Sequence, residues 1–193
     1  MNISQVIDAL IKVRRSHFPA SYTGEPIDRA SILQILENAN WAPTHKKTEP
    51  WRFQIFTGDG LAGLSEFLSE AYKAAAGSDE FSELKYNKTK NKVLKSSHVL
   101  AIIMQRDPEE RLPEWEEIAA VACAVQNIWL SCTSRGIGCY WSSPATITSD
   151  KTFLNLEDGQ RCLGLLYMGN IDPENIVEST RSDINDKILW REE

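Results

Sequence analysis

Two short runs hold the side chains best suited to chemistry. The first, "RRS", sets two guanidinium forks and a hydroxyl side by side at Arg14, Arg15 and Ser16. The second, "THKK" from Thr44 to Lys47, adds an imidazole and two ammonium groups between Pro43 and Pro50. A guanidinium meets phosphate through two parallel N–H bonds and an ammonium meets it as a point charge, so both runs suit an anion held by side chains. Taken singly, each also reads as solvated surface. The common triphosphate cradle is missing: no GxxxxGK[ST] occurs.

Other chemistries find less support. Glu114, Glu116 and Glu117 gather at the start of a helix, where acids complement the positive helix terminus. His17, His45 and His98 are far apart and form no HxxxH, and no CxxC occurs, so no metal is expected. There is no GxSxG elbow for a serine nucleophile. Cys123, Cys132, Cys139 and Cys162 lie in apolar runs and read as small buried hydrophobes in a reducing compartment, which points to the cytoplasm.

At 193 residues the chain suits one domain, residues 1–193, with a real core. Hydrophobic residues make up 42% and charged residues 25%, and no window has the unbroken apolar length of a membrane helix. The opening "MNISQVIDALIKVRRSHF" carries its charge after its apolar residues and reads as mature sequence. A net charge of −6 disfavours nucleic acid, whose binding needs a basic face.

The elements that position the basic runs follow from periodicity. Ile3, Val6, Ile7, Leu10, Ile11 and Val13 predict an amphipathic helix that delivers "RRS" at its end. Asp28 caps a second helix with Ile32, Leu33, Ile35, Leu36 and Ala39 on its buried side, and Pro43 stops it. "WRFQIFTG" alternates as a strand, and a helix follows from about Leu61 to Ala75. Glu80 to Ser96 reads as an exposed helix or an ordered surface excursion whose lysines are solvated. "HVLAIIMQ" is a central strand covered on both faces. "EWEEIAAVACAVQNIWLSCTS" is a buried helix, apolar nearly all round, whose Gln126 and Asn127 suggest contact with another helix. Strands "IGCYWSS" and "CLGLLYMG" flank a short helix around Asp150 to Leu156. The class is α+β, with strands separated by long helical excursions.

In order along the chain stand "RRS", "NANWAPTHKKTEPWRF", "AAVACAVQNIWLSCTSRGIG" and "YWSS". This ordered set, with its AP-x-H-K-x-x-x-P-W-x-F segment, resembles the FMN-dependent nitroreductase-like family, and within it the minimal-length NAD(P)H nitroreductases, over nearly the whole chain. The resemblance implies an α/β sandwich with a central, mainly antiparallel sheet flanked by helices. It further implies a domain-interlocked homodimer with an FMN in each of two pockets at the subunit interface. Cofactor-binding roles are implied for Arg14, Arg15 and Ser16 on the ribityl phosphate and the pyrimidine side of the ring, and for His45 on the FMN of the other subunit. The same holds for Trp141, Ser142 and Ser143 along the flavin and for Arg181 on the phosphate. Without the resemblance, Trp141 is a core aromatic and Arg181 a solvated tail residue. Ser131 to Gly136 match a stretch linked to the nicotinamide nucleotide.

Two departures from the family pattern matter. Trp41 stands where close relatives carry a basic FMN contact. His17, Phe18 and Pro19 stand where larger members place a lysine or arginine near flavin N1. Reduction builds negative charge there, so either Arg14 or Arg15 supplies the cation or the potential differs.

The function so implied is an oxidoreductase that draws on NADH or NADPH and passes electrons by ping-pong exchange to a small acceptor such as a nitro compound or quinone. The flavin would carry the redox chemistry, and no side chain is assigned as catalytic. Two readings stay open beside it. One is a flavin-binding sensor or storage module without efficient turnover; the other is a hydrolase or transferase using His45, Lys46 and Lys47 on a phosphorylated substrate.

Overall fold

The computed structural model describes residues 2–174 and 178–192. Strands β1 (Trp51–Phe56), β2 (His98–Gln105), β3 (Ile137–Ser142) and β4 (Gln160–Asn170) form an antiparallel sheet in the order β1-β2-β4-β3. Side chains alternate across a strand, so the apolar runs of β2 and β4 feed two cores at once. Val99, Ala101, Ile103, Leu165 and Tyr167 face one layer, while Leu100, Ile102, Met104, Leu166 and Met168 face the other.

The helices are α1 (Ile3–Val13), α2 (Arg29–Asn40), α3 (Asp59–Glu80), α4 (Glu83–Leu94), α5 (Glu114–Thr133) and α6 (Ala145–Thr148). Leu61, Leu64 and Leu68 of α3, Val93 of α4 and Ile147 of α6 close the first core. Ile32, Ile35 and Ala39 of α2 meet Val121, Ala124, Val125 and Ile128 of α5 in the second. Local chemistry sets the starts of these helices. Asn2 and Gln5 exchange side-chain and backbone bonds at 3.0 Å each, a capping box for α1. Asp28 Oδ1 accepts from the Ser31 N–H at 2.8 Å, which caps α2 as its sequence predicts.

Several elements differ from expectation. The third helix is longer than Leu61 to Ala75 and bends at Gly77, whose φ of 58° breaks the helical path. The segment from Glu80 to Ser96 does hold the exposed helix that was one of its two expected readings, as α4. The short helix expected around Asp150 to Leu156 is instead α6 followed by a turn, in which Asp150 Oδ2 accepts from the Phe153 N–H at 2.7 Å. Leu33 and Cys123, expected inside, are exposed.

The covering of α5 departs from the sequence reading, and the amphipathic α1 forms as expected but lies open. No residue of α1 is buried, and Ile3, Val6, Ile7, Ile11 and Val13 all lie open to solvent. The fifth helix is not buried all round: Trp115, Ala119, Cys123 and Gln126 form an exposed stripe at helical spacing. The two helices together present an apolar surface that this chain does not cover.

Candidate functional site

The "RRS" turn is fastened to the edge strand. Helix α1 ends at Arg14, whose N–H still reaches Leu10 O at 3.1 Å, and the chain then runs alongside β3. Ser16 forms a parallel bridge with Cys139, and the His17 N–H donates to Cys139 O at 3.0 Å. The Arg14 guanidinium lies 4.8 Å from the centre of the Trp129 ring, and Trp129 Nε1 donates to Arg15 O at 3.0 Å. An aromatic of α5 therefore holds both arginines at the strand edge.

Arg181 approaches the same place from the C-terminal segment, where it donates to Ser179 Oγ and to Thr180 O. With Ile11, Lys12 and Gln126 these groups line a cavity of about 550 Å³, and none of its described lining residues is an acid. Burial lowers the Arg14 pKa, and the like charges of Arg181 and Arg15 lower it further. Three guanidinium groups gathered around one cavity fit a dianionic phosphate, which would relieve that repulsion by charge-assisted hydrogen bonds.

His45 lies elsewhere in the chain. It opens a 3-10 turn, His45–Lys47, in which Lys46 and Lys47 take left-handed φ values of 50° and 55°. Its Nδ1 hydrogen-bonds to Glu116 Oε2 at 2.7 Å, and Lys46 Nζ donates to Arg111 O at 3.3 Å. Glu116 is in the first turn of α5, whereas Gln126 of the arginine cavity is ten residues further on. At 1.5 Å rise per residue that is about 15 Å along the axis. One chain thus brings Arg14, Arg15 and Arg181 together and leaves His45 apart.

The first turn of α5 consumes its own acids. Glu114 Oε1 accepts from Arg161 at 3.0 Å, and Glu117, 1% exposed, pairs with Arg106 and accepts from the Asp107 N–H at 2.8 Å. Together with the His45 contact, each of the three glutamates has a side-chain partner.

The end of β3 splits its candidates between faces. Trp141 packs into the α2–α5 core and donates from Nε1 to Leu163 O at 3.3 Å. Ser142 points the other way, and its Oγ accepts from Lys92 Nζ of α4 at 3.3 Å. Ser143 is exposed beyond the strand. Gly164, at a register shift in the β2–β4 pairing, makes room for this corner: a Cβ there would stand 2.6 Å from Ser142 O and 2.7 Å from Trp141 Nε1.

Lys92 is the site residue that sequence reading misses. Its text, "KYNKTKNKVLK", offers five lysines of equal appearance, and only the packing singles one out. Its pKa is lowered, first by burial and then by Lys88. Nearby, His17 Nδ1 is buried without a hydrogen-bond partner, and burial, then Arg15, lowers its pKa. Among the described residues no group of three or more His, Cys, Asp or Glu converges in a metal-holding arrangement. No described helix is long and apolar enough to cross a membrane.

A helix-flanked antiparallel sheet, with an arginine cavity beside its edge strand, defines an α+β sandwich of the nitroreductase type. The chain belongs to the nitroreductase family, whose model matches residues 11–170. It is 31% identical over 186 residues to "Putative NAD(P)H nitroreductase YfhC" of Bacillus subtilis (strain 168), covering 94% of this chain and 92% of that protein. It superposes on the crystal structure of a nitroreductase-like family protein from Bacillus cereus with a TM-score of 0.80 and 26% identity, both chains covered in full. The FMN-dependent nitroreductase NfnB from Mycobacterium smegmatis, solved in complex with NADPH, shares the fold with a TM-score of 0.77 at 16% identity, with 98% of this chain and 100% of that one covered. The expectations of an oxidoreductase family, its fold, and FMN with NADH or NADPH agree with these relatives.

Proposed function

We propose that the protein is an FMN-dependent oxidoreductase that uses NADH or NADPH to reduce nitro compounds, quinones or related small acceptors by ping-pong exchange. The observation that carries this reading is the cavity that Arg14, Arg15 and Arg181 line together. Bound FMN would supply a ring that takes two electrons and a proton from the nicotinamide and yields them to the acceptor. The chain's own contribution is to hold and tune that ring. Arg14, Arg15 and Arg181 hold the phosphate, Ser16 adds a hydroxyl beside the ring, and Trp141, Ser142 and Ser143 flank it at the end of β3. Lys92, hydrogen-bonded to Ser142, adds a cation to that end.

The reading includes a homodimer of single-domain subunits, residues 1–193, acting in the cytoplasm. The uncovered apolar faces of α1 and α5 supply a surface for the second copy. In such a dimer the separation of His45 from the arginines is resolved by pairing His45 of one subunit with the flavin of the other. Neither nucleic acid nor membrane has a part in it.

The test is direct. Purified protein should be yellow or turn yellow with FMN, bleach anaerobically with NADH or NADPH, and regain colour with an acceptor; protein that takes up no FMN overturns the reading. Stopped-flow rates for both nucleotides against several acceptors then separate turnover from storage.

A further inference from the structure

Strand geometry builds an aromatic seat beneath Lys92. Tyr140 and Ser142 lie two residues apart on β3 and so share a face, and the β3–β4 register sets Tyr167 directly opposite Tyr140. Lys92 Nζ reaches into this corner from α4. It stands 4.6 Å from the centre of the Tyr167 ring and 5.4 Å from that of Tyr140, and donates to Ser142 Oγ at 3.3 Å.

The arrangement is unusual for a partly desolvated cation. Among the described residues no carboxylate pairs with Lys92, and the titratable groups facing it are Lys88 on its own helix, Tyr140 on β3 and Tyr167 on β4. Burial pushes the Tyr167 phenol pKa upward, so that ring stays neutral and offers its π-face rather than a phenolate. The Tyr167 hydroxyl has no hydrogen-bond partner, so the ring is not held there for its oxygen. Phe18 braces the other side, its ring centre 4.5 Å from that of Tyr140. Phe18 belongs to the His17, Phe18, Pro19 segment that carries no lysine or arginine.

We propose that Tyr140 and Tyr167 are positioning residues that form a cation–π seat for Lys92, holding its charge at the Ser142 end of β3 where it favours the reduced flavin. The inference rests on the flavin reading above. When NADH or NADPH gives up two electrons and one proton and leaves as the oxidised nucleotide, the ring gains one negative charge. An ammonium fixed near it stabilises that state relative to the oxidised ring. A mobile lysine would do so less well, and the seat is what removes its mobility. The aromatic corner thus takes over, through Lys92, a task that the "RRS" segment does not perform with a following cation.

The test combines a flavin readout with one that needs no flavin. In FMN-loaded protein, Tyr140→Leu should lower the two-electron midpoint potential by about 30 mV, a tenfold change in the reduction equilibrium. Lys92→Met should lower it at least as far, and the double variant no further. In flavin-free protein, an amine-acylating reagent followed by peptide mass spectrometry should label Lys92 several-fold faster in Tyr140→Leu than in wild type. Tyr167→Phe, which keeps the ring, should label at nearly the wild-type rate. An unchanged labelling rate in Tyr140→Leu overturns the seat, as does a potential shift that persists in the Lys92→Met background. Protein that binds no FMN defeats the flavin reading, while the labelling arm still decides the seat.

Discussion

Two charged clusters in this chain are handled in opposite ways. At the start of α5, Glu114, Glu116 and Glu117 each meet a side chain of their own chain, Arg161, His45 and Arg106. At the end of α1, Arg14, Arg15 and Arg181 crowd around one cavity, with no acid among its described lining residues. A buried charge that serves the fold must be paired within the fold, since leaving it alone in low dielectric is costly. Cations crowded around one open cavity, where burial and their like charges already lower the Arg14 pKa, instead suit an anionic ligand. The contrast predicts that removing a charge has different consequences in the two places.

The largest effect should come from the paired cluster. Glu117→Ala leaves the Arg106 guanidinium and the Asp107 N–H without their acceptor. Such a loss at a buried site costs about 3 kcal/mol. Urea unfolding of flavin-free protein should show it as a lower midpoint; an unchanged midpoint would mean that α5 does not depend on the pair. In the open cluster the same kind of deletion should spare the fold. Arg181→Ala removes an exposed guanidinium, so apo stability should hold while FMN dissociates about tenfold to a hundredfold more readily, as expected for one charge-assisted bond. Fluorescence titration of FMN measures this, and equal affinity in both proteins would remove Arg181 from the site.

His45 sharpens the comparison because it belongs to the paired cluster by contact and, in the proposed dimer, to the flavin site of the other subunit. His45→Ala should reduce FMN retention a fewfold, and only in protein that is dimeric by light scattering. Loss of retention in a monomeric form would place His45 near the flavin of its own chain, against the separation along α5.

How far these clusters were legible in the sequence depends on what each required. The apolar run of β2 and the spacing of α1 predicted their elements because strand and helix periods are local properties. The "RRS" arginines read by type as candidates for an anion, whereas Arg181 was singled out only by the family resemblance. Periodicity does not say what covers an apolar face, which is why α5 was expected to be buried on all sides and Cys123 inside it. The pairing of Glu117 with Arg106, and the choice of Lys92 among like lysines, arise only when distant segments pack. The turn after α6 escaped because Asp150 bonds the Phe153 N–H and Asn155 takes a left-handed φ of 48°, local exceptions that polarity alone does not reveal.

The smallest expected effect concerns acid, and its sign follows from the same contrast. Beside the paired glutamates, hydrogen bonds from Arg111 hold the Asp107 carboxyl at a pKa of about 2, below its ordinary 3.8. In that interval the unfolded chain binds a proton that the folded chain does not, so stability declines as pH falls from about 4 toward 2 and is insensitive to this group above that window. Arg111→Ala should flatten the decline, as followed by circular dichroism during acid titration, whereas an identical profile would show that Asp107 draws its shift from elsewhere. The arginine cavity behaves differently because guanidinium stays charged throughout this range. Its acid response must come from the ligand, whose phosphate takes up its second proton with a pKa of about 6. Mild acid near that value should therefore weaken FMN binding while leaving the fold at the start of α5 intact, and the Asp107 transition should follow only two to four pH units lower. Flavin release and unfolding that coincide at one pH would show that the two clusters are not independent.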